Sequence, residues 1–315
     1  MSAGSLLGFA VVFVLVCGAT SAAWALVLPR VVAARAAVER RAAWAAAAVP
    51  VVFGVAIVGI LVAESLLGID HCVQHDHHAH LCVEHGAAWL SYPYAVVLVA
   101  ASATLVAVRA SVLIGSLVRA RVMASRLRRV GAVTRQMVLV ESDRVFCFVA
   151  GIVNPTIFVS TATRASLSTT EWNAMLAHET SHIANRDLLA RFCLELLLLF
   201  SAPMVGLSIR ERWESATERL RDADAGAKVG FDAVASALVR MASSVVRAPR
   251  AVAAFLPSGD AILSLRVEAL LDKTPTGEAE ATRLSRAVLV ATAASIVAVL
   301  AFAEPIHHAL ETLLG

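Results

Sequence analysis

Charge is scarce in this chain: 16% of its 315 residues are Asp, Glu, Lys or Arg, where a soluble domain has roughly a quarter. Cysteine is scarce as well, five in all, which excludes a disulfide-stapled miniprotein. The net charge of +3 is too small for direct nucleic-acid binding, and the arginines flank apolar runs instead of forming one basic patch. No glycine-rich phosphate loop and no serine or cysteine triad arrangement stands out. What the chain has in abundance is apolar surface: 59% hydrophobic residues and a mean hydropathy of +0.75. That excludes disorder and a wholly soluble enzyme, although the length alone would allow about two soluble domains. The implied class is a polytopic membrane protein.

Four uncharged stretches, Leu6–Leu28, Ala42–Ala63, Gly86–Val108 and Ala287–Ala303, are long enough, or nearly so, to cross a hydrocarbon core. Small residues around Thr20–Ala23 imitate a cleavage region, but the first run lacks a basic start and is too long for a signal peptide, so it reads as a retained span. Basic residues set the orientation. Arg30, Arg35, Arg40 and Arg41 follow the first span, and Arg109, Arg119, Arg121, Arg126, Arg128 and Arg129 follow the third. Lys273, Arg283 and Arg286 precede the fourth, whereas the loop from Glu64 to His85 has no Lys or Arg. The expectation is a multi-pass plasma-membrane protein with both termini outside. Its organisation is three membrane helices over 1–108 with an external loop 64–85, a cytoplasmic domain over 109–286, and a final span and external tail over 287–315.

Within the cytoplasmic part, Met137–Val140 and Val145–Val149 read as short strands. Thr156–Ser160 reads as an extended piece whose preceding Pro155 suits a sheet edge; as an edge it is expected to hold a peptide as an added strand. Ser168-Thr-Thr-Glu171 has capping-box spacing and opens a helix. That helix carries His178-Glu179-Thr-Ser-His182. Two histidines one turn apart project from the same face, as two ligands of a tetrahedral zinc must, with Glu179 beside them as general base. A third ligand is needed. The acidic helix downstream offers Glu218, with Asp222 one turn on to orient a ligand histidine; Glu214 is an alternative ligand, and a solvated charged face is the plain one. The apolar stretch 188–209 would separate Glu218 from the histidines if it crossed the membrane. It is expected to be a membrane-associated helical hairpin bending near Ser201-Ala-Pro203, with Arg191 and Glu195 paired at i,i+4.

The external loop concentrates Cys72, His75, His77, His78, His80, Cys82 and His85. Two readings stay open there: a Cys72–Cys82 disulfide on the oxidising face, and a site that binds metal or senses pH.

Taken together, Gly151-Ile-Val-Asn-Pro155-Thr-Ile-Phe-Val-Ser160, His178-Glu-Thr-Ser-His182 followed by Asp187, Pro203 in an apolar stretch, and Glu218-X-X-X-Asp222 resemble the BlaR/MecR-type membrane zinc metallopeptidases. Three spans before the domain and one after also look like that family. The resemblance implies zinc (Zn2+) on His178, His182 and Glu218, Glu179 as base, and Asp222 and Asp187 in support. It implies a gluzincin-like α+β fold in a mainly α membrane protein. The substrate would be a cytoplasmic protein, a winged-helix repressor in a signalling pathway, with an oligomer left open. Two departures stand out: Arg221 occupies a position where a small residue or cysteine is common, and the chain ends shortly after the last span, so beta-lactam sensing is not carried over. HtpX-type and CAAX-prenyl proteases share the zinc pattern and imply quality control or processing instead. A rival of another class is a non-catalytic transducer that senses metal or pH through the loop.

Overall fold

The computed structural model describes residues 3–31, 35–67, 93–134, 136–245 and 260–301. The His/Cys loop expectations (Cys72, His75, His77, His78, His80, Cys82, His85) and the external tail lie outside them.

The chain is mainly helical. Three long helices come first, α1 (Ala3–Val31), α2 (Ala36–Leu67) and α3 (Pro93–Val130). Next come four short strands, β1 (Ala132–Thr134), β2 (Met137–Val140), β3 (Cys147–Ala150) and β4 (Thr156–Ser160). The helices α4 (Thr161–Ser166), α5 (Thr169–Ala184), α6 (Asp187–Leu198), α7 (Pro203–Val229), α8 (Phe231–Val245), α9 (Asp260–Leu271) and α10 (Glu278–Ala301) follow among the described residues. Four helical segments of the described residues, Ser5–Trp24, Ala36–Ala63, Pro93–Val130 and Glu278–Ala301, are long and apolar enough to cross a membrane.

The sheet runs β1-β2-β4-β3, with β2 and β4 parallel and the outer pairs antiparallel. This corrects the edge assignment of Thr156–Ser160: β4 is an inner strand, and all five of its residues are buried. Pro155 fits because it precedes the ladder, so its missing N–H breaks no rung. The strand alternates as a doubly covered strand should. Ile157 and Val159 pack with Met175 of α5 beneath the sheet, while Phe158 packs with Leu127 of α3 above it. β3 takes the outer position. At its end Gly151 has φ 105, and a Cβ there would stand 2.6 Å from the Asn154 carbonyl, so the turn into β4 requires glycine.

Helices α6 and α7 meet at 199–202, with Pro203 in the first turn of α7 where it loses no hydrogen bond. Arg109 of α3 donates to the Leu198 and Ser201 carbonyls at this bend. Arg191 and Glu195 do not pair with each other. Glu214 takes Arg191 at 2.8 Å and Arg210 takes Glu195 at 2.7 Å, because α7 returns alongside α6 and presents the opposite charges directly across the bend. Span α2 then packs along α7: Ala42, Ala43, Ala46 and Ala47 meet Ile209 and Trp213.

Candidate metal centre

Helix α5 starts on a complete capping box, Glu171 N–H donating to Ser168 Oγ and Ser168 N–H to Glu171 Oε2. The helix ends at Asn185, and Arg186 turns the chain through the left-handed region with φ 53. That tight reversal brings Asp187, the first residue of α6, back under the last turn of α5. His182 Nδ1 lies 2.9 Å from Asp187 Oδ2. On the same face, His178 Nδ1 lies 2.9 Å from Asp222 Oδ1, at ion-pair distance rather than on a hydrogen-bond line.

With each Nδ1 turned to a carboxylate, the Nε2 atoms face each other at 3.1 Å. Glu218 reaches them from α7, its Oε2 at 3.4 Å from His178 Nε2 and its Oε1 at 3.5 Å from His182 Nε2. Ligand atoms at 2.0–2.1 Å on a tetrahedral zinc stand about 3.3 Å apart; the two Nε2 atoms stand near that separation, and one ligand atom from each of the three residues lies within 4.8 Å of the others, a group that suits one small cation. The chemistry agrees: two imidazoles, each with its Nδ1 beside a carboxylate, and the Glu218 carboxylate are ligand types that zinc takes. The side chains are 12%, 13% and 18% exposed, which leaves an approach from one side. Among the described residues, His178, His182 and Glu218 form the group able to hold a metal. Glu214 turns to Arg191 instead.

The electrostatics follow from these contacts. Burial disfavours a charged His178, but Asp222 and Glu218 overcome it and raise its pKa to about 10, so a metal bound there displaces a proton. Burial likewise opposes the charges on Glu218 and Asp222, and Arg266 together with the facing histidines outweighs it, holding both below the ordinary carboxylate range. Burial pushes Glu179 up, against the pull of the two histidines.

The sequence reading gave no role at the centre to three arginines. Arg266 of α9 donates to both oxygens of Asp222, at 2.7 and 2.8 Å, and sits 3.1 Å from Glu218 Oε2. Arg221 pairs with Asp187 at 2.8 Å and with Asp224, which gives a use to the residue that departs from the resembled pattern. Arg40 of α2 donates to Asp187 Oδ1 at 2.9 Å. The i,i+3 spacing of Arg221 and Asp224 was the sole signal present in sequence; the other two contacts span 44 and 147 positions. A cleft of ≈ 1650 Å³ opens onto the centre, with His178, Glu179 and Arg266 on one wall and Cys147 to Ala150 of β3 on another.

Residues 116–253 match the model of peptidase family M48, whose members are zinc metalloproteases. The match supports a membrane metallopeptidase and does not single out the BlaR/MecR type. It takes in His178, Glu179, His182, Glu218 and Asp222, while Arg40 and Arg266 fall outside it. Neither the curated proteins nor the solved structures give a match to this chain.

Proposed function

We propose that the protein is a membrane zinc endopeptidase that cuts protein substrates on the cytoplasmic side. The observation that carries this reading is the convergence of His178 Nε2, His182 Nε2 and the Glu218 carboxylate, one ligand atom from each within 4.8 Å of the others, with each Nδ1 against a carboxylate. His178, His182 and Glu218 would hold the ion. Zinc supplies a lowered pKa for a bound water and a polarised scissile carbonyl. Glu179 takes the proton of the attacking water on a carboxylate oxygen and returns it to the leaving amine nitrogen. Asp222 and Asp187 keep the two rings in one tautomer and orientation.

Substrate lies along β3. Ser160 N–H donates to the Phe146 carbonyl, so the hydrogen-bonded pairs of this antiparallel ladder fall at 146, 148 and 150. The backbone groups of Cys147 and Val149 then point away from β4 and toward the cleft, ready for an extended peptide. In the signalling reading that peptide belongs to a repressor, supported by the resemblance and the span arrangement. Quality control or processing of membrane proteins stands beside it, because the matched family is M48 and not the BlaR/MecR type.

Comparison of new protein N-termini in cells expressing the wild type and Glu179→Gln tests the proposal. Cytoplasmic termini appearing with the wild type alone are expected; a single repressor among them selects signalling, and many membrane proteins select quality control. Identical termini at matched expression and zinc content would contradict a peptidase and favour the non-catalytic transducer.

A further inference from the structure

We infer that Arg40, on the membrane span α2, is a positioning residue for the metal centre, acting on His182 through Asp187. The inference rests on the zinc reading of that centre. Asp187 is 4% exposed, and its two oxygens divide their work. Oδ2 faces His182 Nδ1 at 2.9 Å and Arg221 at 2.8 Å, whereas Oδ1 accepts from Arg40 Nη2 at 2.9 Å. A carboxylate this deeply buried needs partners for both oxygens. Arg40 and Arg221 fix where Asp187 stands, and Asp187 in turn holds the His182 ring through Nδ1, which turns Nε2 toward the centre.

Arg40 is itself held in place. Its Nε donates to Thr217 Oγ1 at 3.2 Å, one position before Glu218, and its guanidinium lies 5.5 Å from the Trp213 ring. The arginine therefore bridges the turn after α5 and the helix that brings Glu218. Its neighbour Glu39 pairs with Arg219 and Arg212 of the same helix but does not reach Asp187. The metal centre is thus not complete within residues 116–253: a membrane span supplies the outer end of one ligand's support, and the geometry of that ligand depends on where α2 sits.

The test uses the full chain in detergent and measures zinc affinity by competition with a chelating dye, for the wild type, Arg40→Gln, Asp187→Asn and the double variant. Arg40→Gln is expected to weaken zinc by about tenfold, the low end for outer partners of a ligand histidine. The double variant is expected to be no weaker than Asp187→Asn alone, because the arginine acts through that carboxylate. Glu39→Gln loosens the same helix pair and should keep wild-type zinc affinity. Additive losses in the double variant, unchanged affinity in Arg40→Gln, or an equal loss in Glu39→Gln would each overturn the inference and leave the proposed function standing. A wild type that binds no zinc would overturn both.

Discussion

Each histidine of the proposed metal centre is backed by a carboxylate and each carboxylate by arginine: Asp222 by Arg266 behind His178, and Asp187 by Arg40 and Arg221 behind His182. Asp222→Asn keeps the shape and removes the charge. It should weaken zinc by about 10–100-fold, and the same chelator competition measures it. It also leaves Arg266 without its bidentate partner, so an unchanged affinity would mean that Glu218 alone satisfies that arginine. The inner residues were legible in sequence for a local reason. His178, Glu179 and His182 share one turn of one helix, and Glu218 and Asp222 share another, so the helical period places them without knowledge of the fold. The arginines were not legible, because a guanidinium on a distant helix carries no periodic relation to the carboxylate it meets.

Among the elements, α5 depends on its cap. Ser236, the Ser168 backbone and Arg240 hold the Glu171 carboxyl down at about 2 from a usual 4.5. A depressed folded pKa contributes stability above the unfolded value and loses it as pH falls through the folded one. The thermal stability advantage of the wild type over Glu171→Gln should therefore be full above about pH 5 and fade toward pH 2, read by unfolding curves in detergent across that range; an advantage independent of pH would contradict it. The sheet makes a second prediction. Val149→Pro removes an N–H that faces the cleft and no ladder bond, so it should raise KM for a peptide substrate several-fold with zinc retained, as expected for loss of about one backbone hydrogen bond. Three of the four strands among the described residues were readable from composition, but β1 was not, and neither was strand order. A proline before a five-residue strand suggests an edge, and only the register shows that Pro155 precedes the paired residues. The bend at 199–202 was readable from Pro203, while its ion pairs formed across the hairpin instead of along one helix.

At the scale of the whole molecule, the apolar runs located four membrane-length helices because a span must satisfy its backbone internally and so declares itself in sequence. How α2 leans on α7, and how α9 reaches the centre, depends on packing between elements far apart in the chain. The central claim is that His178, His182 and Glu218 hold one zinc. It is tested most directly by the zinc content of the purified full chain beside that of Glu218→Ala, both with the external loop intact so that any metal bound there cancels. The wild type should carry about one zinc per chain more than the variant, as a catalytic site with three protein ligands demands. Equal zinc contents would contradict the assignment of Glu218 as a ligand and the metal centre built on it.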